Sequence, residues 1–484
     1  MKKRIKGILL ASLFAAGSAS CSNDFINLLP ESNVSVDIMY QNDKDFADAL
    51  VANYNTLQTQ YQDFWIFGDV RGDDSWVQIF KNNSTSYSDL FTTTSSDGLM
   101  NTTWRNYYRA IFRANTILEK IEQIDPSLVP GKSRYIGEAR FIRALAYFDL
   151  VRIFGDVPAV TTTLTIEESY GVPREPVANV YDQIIIPDLI AAEAALPTSY
   201  SAGDVGKPTS GAAKALLGRV YITIGDFAEA ESKLTEVTTM GYSLLADYND
   251  LFDYGKDEHH AEYIFDIEYE SGLGEGSRYT TAFLPNFPDM NSYYDITGAG
   301  EEFNNPTPEL VALFEEGDSR KGVSIGVTGG FYDNAGEFHT MPTTTNQTYT
   351  LKYIASSPVR NDAPCNWKVI RYGDVVLMLA EALNENGKTA EAIGWLNRIR
   401  TRAGVDTYPD TTSQSEAREA IATERRLELS FEGVRWFDLL RTGKALDALA
   451  GDGMQPHNVL FPLPLSQVQL IDNPDILPQN PGYE

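Results

Sequence analysis

Two stretches of the chain share one pattern. The first is Ala212-Ala-Lys-Ala-Leu-Leu-Gly-Arg-Val-Tyr-Ile-Thr-Ile-Gly-Asp-Phe-Ala-Glu-Ala230. The second is Asp374-Val-Val-Leu-Met-Leu-Ala-Glu-Ala-Leu-Asn-Glu-Asn-Gly-Lys-Thr-Ala-Glu-Ala392. A shift of 162 residues lays Leu217 on Leu379, Gly225 on Gly387, Ala230 on Ala392 and Leu234 on Leu396. Each reads as helix, glycine turn, helix, with small residues where the two helices approach, which is the tetratricopeptide pattern. The units are degenerate and far apart in sequence. They are therefore expected as helical hairpins inside a larger fold, near 177–240 and 369–402, and not as a long solenoid.

Helical spacing continues outward from these units. Phe46, Leu50, Tyr54 and Leu57 recur along Asp43 to Gln60, and Trp104 to Ile124 and Val177 to Leu196 also read as helices. Gly137 to Phe154 is apolar all round, with Arg140, Arg143, Asp149 and Arg152 scattered over its surface. Such a helix is surrounded, so its charges are expected to be paired. Gly68 to Asp97 reads as loop. From 242 to 367 Gly, Asn, Thr, Pro and aromatics dominate. The expectation there is a loop-rich insertion, helical only over Pro308 to Glu316, with a strand at Glu262 to Tyr269. The fold class is thus mostly α.

The N-terminus reads as a targeting segment. Lys2, Lys3, Arg4 and Lys6 precede a nine-residue apolar run, Ile8 to Ala16, too short to span a bilayer. Small residues then lead to Cys21, the arrangement of a bacterial lipoprotein signal, although Ser18 stands where Leu or Val is usual. Residues 1–20 are expected to be removed, Cys21 to take lipid, 21–35 to act as a tether, and 36–484 to form the body. Cys365 is then left without a partner and is expected to be a buried, inert thiol.

The 484 residues carry 39 Lys+Arg against 67 Asp+Glu, a net charge of −28. Such a surface repels nucleic acid and is not drawn to anionic lipid. No HExxH, Walker A or CxxC motif is present, a GxSxG nucleophile elbow is not expected either, and no catalytic residue, metal ligand or cofactor is assigned. His259 and His260 sit in an acidic loop and read as solvated side chains. Gly272 to Gly276 lacks a strand–turn–helix setting and reads as a flexible loop. What remains is recognition chemistry. Sugars offer apolar C–H faces and a rim of hydroxyls, held by aromatic platforms with amides, carboxylates and Arg nearby. Two loop stretches have that makeup. One supplies Arg71, Asp73, Asp74 and Trp76; the other supplies Tyr279, Phe287, Asn291, Tyr293 and Tyr294, beside Phe283 and Asn286.

Several long segments resemble the SusD/RagB family of outer-membrane nutrient-binding lipoproteins. They are Cys21, Trp104 to Asn115, Gly137 to Pro158, Glu424 to Arg441 and the tail Asn480-Pro-Gly-Tyr483. The resemblance implies a helical fold on tetratricopeptide-type hairpins, surface exposure on the outer membrane, and a SusC-like TonB-dependent transporter that the lipoprotein caps. It implies a non-catalytic receptor whose ligand is usually a glycan oligomer, with peptides taken by some relatives. A lipid-anchored glycan-degrading enzyme is the remaining alternative. The matching segments themselves read as fold-building: Ala420, Glu424, Leu427 and Phe431 are expected on one helical face, Glu424 and Arg435 as buried paired charges, and Trp436 and Phe437 as core.

Overall fold

A computed structural model describes residues 39–77, 83–256, 258–333, 335–341 and 348–483. The signal segment, Cys21 and the tether lie outside these residues. In chain order the principal helices are α1 (Asp43–Tyr61), α2 (Gly98–Gln123), α3 (Lys132–Phe154), α4 (Ile186–Ala195), α5 (Ser210–Ile224) and α6 (Phe227–Thr238). They continue with α7 (Tyr279–Phe283), α8 (Pro288–Tyr293), α9 (Tyr372–Glu385), α10 (Thr389–Ala403), α11 (Gln414–Glu428) and α12 (Arg435–Arg441).

The two repeat units fold as helical hairpins, α5–α6 and α9–α10, and α6 packs on α9 so that they stack directly. At the turns Gly225 and Gly387 adopt φ of +79° and +77°, a left-handed conformation that costs glycine little. Ala230 and Ala392 are fully buried at the helix contacts, as the repeat alignment requires. On the other side α1, α2 and α3 pack together, and α4 joins α3 to α5. The scattered charges of α3 are indeed paired. Arg143 grips Asp188 through Nε at 2.7 Å and Nη2 at 2.9 Å, and Arg140 reaches the same carboxylate at 2.9 Å. Asp149 accepts the Tyr61 and Tyr107 hydroxyls, both at 2.8 Å.

The insertion enters and leaves through one antiparallel pair, Tyr263–Ile267 against Trp367–Arg371, with Tyr263 opposite Arg371 and Ile267 opposite Trp367. Inside it, α7, α8 and Lys321–Ser324 are helical as well as Pro308–Leu313, so the expectation of one helix was too sparse. These helices have four to six residues, too few to show a period. Gly68 to Asp97 likewise holds a π-turn at Ile66–Val70 and a helix at Ser84–Asp89. The outer insertion has its own small core of Leu284, Phe287, Met290, Ile296, Phe331, Met341 and Tyr349, separate from the main one. The Cys365 thiol is buried and donates to the Tyr353 carbonyl at 3.3 Å.

A buried ionic network joins these parts. Arg371 lies 2.7 Å from Glu262, 2.6 Å from Glu428 and 2.7 Å from Glu432. Glu428 also meets Arg402 of α10 and Arg320 of the insertion. Arg320 binds Asp318 at 2.7 Å and Glu424 at 2.6 Å, and Glu424 reaches Arg400 at 2.9 Å. Lys352 closes the set on Glu432 at 2.8 Å; burial lowers its ammonium to about 8 against that attraction. Glu424 is therefore the buried paired charge expected. Arg435 is only partly buried, paired with Asp73, and α11 ends at Glu428, before Phe431. Trp436 and Phe437 lie in the core.

Two stability predictions follow from these contacts. Ala392→Leu overpacks the α9–α10 crossing and should cost about 1–3 kcal/mol, read as a lower melting temperature. Glu428→Gln leaves Arg371, Arg402 and Arg320 short of a buried partner and should cost about 3–5 kcal/mol at neutral pH. Burial would raise the Glu428 carboxyl, but Arg402, Arg371 and Arg320 outweigh it and hold it well below the carboxylate range. A depressed carboxyl stabilises above its unfolded value and loses that contribution as pH falls. The melting-temperature gap between wild type and Glu428→Gln should therefore narrow below roughly pH 4.

Candidate functional site

The outer insertion carries an aromatic wall. Pro288 opens α8, whose end presents Tyr293, and Tyr294 follows as its cap. Opposite stands a hairpin, Gly330–Tyr332 paired with Phe338–Thr340, in which Phe331 faces His339 and Tyr332 faces Phe338. Side chains alternate along a strand. Phe331 therefore turns inward, 2% exposed, while Tyr332 and Phe338 turn out at 57% and 42%. Phe331 is the hub: its ring centroid is 5.1 Å from Tyr293, 6.4 Å from Tyr294, 6.1 Å from Phe287 and 4.7 Å from the stacked His339. Tyr293 and Tyr294 meet edge to face at 4.8 Å, and Tyr332 and Phe338 lie 5.0 Å apart. Tyr293 and Tyr294 are each half-buried: one part is fixed by the small core and the other remains open.

The electrostatics around the wall are ordered by local contacts. His339 Nε2 lies 3.0 Å from Asp333. That hydrogen bond, with the Glu337 and Ala335 backbone N–H groups, holds the Asp333 carboxyl below its ordinary range. Burial raises the Tyr294 hydroxyl to about 12, so it stays protonated and able to donate. Beside the wall is an open hollow of about 400 Å³, lined by Asn286, Asn291, Ser292, Asp295, Thr297 and neighbouring backbone. The Asn291 amide donates to the Gly298 carbonyl at 2.7 Å, and its Oδ1 has no hydrogen-bond partner. Flat rings beside a shelf of amides, hydroxyls and one carboxylate can stack on an apolar ring face and bind its polar rim.

The structure brings together four of the nine residues expected to bind ligand and disperses the rest. Tyr293, Tyr294 and Asn291 lie at the wall and shelf, with Phe287 beneath them as buried support. The correction concerns the others. Arg71 is fully buried, its guanidinium packed on Phe91, Trp436 and Phe461 and bonded to the Asn458 carbonyl at 2.8 Å. Asp73 pairs with Arg435 and Asp74 with Arg426, so these carboxylates join chain segments. Tyr279 is buried in the main core against Trp367 and Tyr353. Trp76 is half-exposed and donates its indole N–H to the Pro306 carbonyl at 3.2 Å, beside the two-residue ladder of Ser75–Trp76 with Asn305–Pro306.

Phe331, Tyr332, Phe338 and His339 escaped the sequence reading. Their signal was the alternating Gly330-Phe-Tyr and Phe338-His-Thr flanking an Asp-Asn-Ala-Gly turn. Contrary to the expectation of no GxSxG, Gly322-Val-Ser-Ile-Gly326 has nucleophile-elbow spacing. Ser324 ends a four-residue helix and is fully buried, not raised on a strand-to-helix elbow. His259 binds Glu268, and among the described residues no cluster of metal-ligating side chains occurs.

Comparison with known proteins agrees with this architecture. Residues 330–483 match the family model described as SusD family, and residues 24–222 match one described as starch-binding associating with outer membrane. The SusD-like protein P38 of Formosa agariphila is 29% identical over 99% of this chain and 100% of its own. A solved laminarin-binding SusD-like protein is 30% identical, covering 92% of this chain and all of that one, with a TM-score of 0.78. A SusD superfamily protein from Parabacteroides distasonis is 28% identical over 90% of this chain and 99% of its own, with a TM-score of 0.76. With the stacked hairpins, the end-to-end sequence match and the shared fold together, the chain belongs to the SusD family.

Proposed function

We propose that this protein is a non-catalytic cell-surface receptor that captures oligosaccharide on the aromatic wall and delivers it to a SusC-like TonB-dependent transporter. The observation that carries the binding reading is the wall itself: half-open Tyr293 and Tyr294 backed by a dedicated small core and flanked by the Asn291–Asp295 shelf. The 30%-identical relative that binds laminarin supports a glycan as the ligand class. Membership of the family and the outer-membrane description of the N-terminal match support the location, with acylated Cys21 as the anchor. No helix among the described residues is long and apolar enough to cross a membrane.

The test is a calorimetric titration with laminarihexaose and maltohexaose, with product analysis on the same samples. Binding without chain shortening is expected, and shortened chains would favour the enzyme reading. Tyr293→Ala should weaken binding by roughly 5- to 150-fold, the range for losing one stacked ring, with little change in melting temperature. Trp76→Ala should behave oppositely, lowering the melting temperature while affinity holds, because its indole secures the Pro306 strand. A Tyr293→Ala protein that binds normally removes the wall from the site. Separately, Cys21→Ala should move the protein from the membrane fraction to the soluble fraction; unchanged fractionation refutes the anchor.

A further inference from the structure

Acidic side chains surround the aromatic wall. Asp289 precedes Tyr293 by one helical turn and is exposed, on the same side of α8. Asp295 follows Tyr294 directly, lines the shelf and accepts the Ser356 hydroxyl at 3.1 Å. Across the wall, Asp333 and the exposed Glu337 stand at the hairpin turn that carries Tyr332 and Phe338. Carboxylates therefore flank the rings on both sides. Among the described residues, no Lys or Arg lines the shelf. Arg360, 40% exposed, lies against Gly298 at the edge of the shelf, where it is held by Glu301 at 2.9 Å and donates to the Ala299 carbonyl at 2.8 Å; the same Glu301 binds Arg278 at 3.0 Å. That cation is already matched.

We infer that the wall selects glycans free of carboxylate, sulfate and phosphate groups. This rests on the reading of the wall as the glycan site. A sugar stacked on Tyr293 places its substituents over Asp289 and Asp295. Neutral hydroxyls donate hydrogen bonds to those carboxylates, whereas an anionic substituent meets like charge, and the nearby Arg360 is already engaged by Glu301. The protein's −28 charge adds a long-range field of the same sign.

The experiment uses matched ligands on the full-length chain in detergent: laminarihexaose and maltohexaose, each beside the same hexaose oxidised to uronic acids at C6. At low salt the neutral form should bind roughly tenfold more tightly than its oxidised partner. In about 0.5 M salt the gap should largely close, because screening removes repulsion between exposed charges. The double variant Asp289→Asn with Glu337→Gln should narrow the ratio between the two forms, by raising affinity for the oxidised chain. An oxidised hexaose that binds as well as the neutral one, or a gap that salt and the double variant leave intact, overturns the inference while the wall stands. Failure of every hexaose to bind removes the wall as the glycan site and the inference with it.

Discussion

The structure depends on one arrangement of buried charge, the carboxylates of Glu424, Glu428 and Glu432 meeting Arg320, Arg371, Arg400, Arg402 and Lys352. Desolvating eight ionised groups is costly, and their attraction offsets that cost only when the geometry is satisfied throughout. These eight come from α10, α11, the segment just after it, the strand ending at Arg371 and two points in the insertion, and Glu262, just before the opposite strand, joins them through Arg371 and Arg402. No subset can be placed without the others. The network thus fixes where the insertion sits on the hairpin scaffold, a task that apolar packing, being non-directional, performs less specifically. A second set, Arg425 with Asp374 and Asp438, binds α9, α11 and α12 in the same way.

The scaffold was legible because its physics is periodic. Leu217 and Leu379, Gly225 and Gly387, and Ala230 and Ala392 repeat the spacing that a helical hairpin needs, and each occupies the predicted place. The charges on α3 could be called paired because an apolar-all-round helix leaves them no water. Periodicity stops informing where helices have four to six residues, which is why α7 and α8 read as loop.

The aromatic wall was legible only in part. Composition pointed to Tyr293, Tyr294 and Asn291, because aromatics and amides clustered there without a helical period. The same logic selected Arg71 and Tyr279, which are buried in the main core, and Asp73 and Asp74, which join segments 352 or more residues apart through Arg426 and Arg435. Acidic and aromatic residues in a loop serve either task, and only the partner decides. Those partners lie hundreds of residues away and leave no local trace. The hairpin with Phe331 and His339 was lost for the opposite reason: two three-residue strands are shorter than the alternation needed to see them.

The paired strands at the base of the insertion have a further consequence. Chain entry and exit sit side by side, so the path between them forms a closed excursion whose outer part is stabilised by a small core of its own. Substitutions around that outer core need not be transmitted to the stacked hairpins, because the inner core and the ionic network lie between. Ligand preference and folding competence can then drift at different rates within one chain. A scaffold of this kind can accumulate new specificities by rewriting the residues around the outer core, while Asp318, Arg320 and the remainder stay under the older constraint of burying their charges.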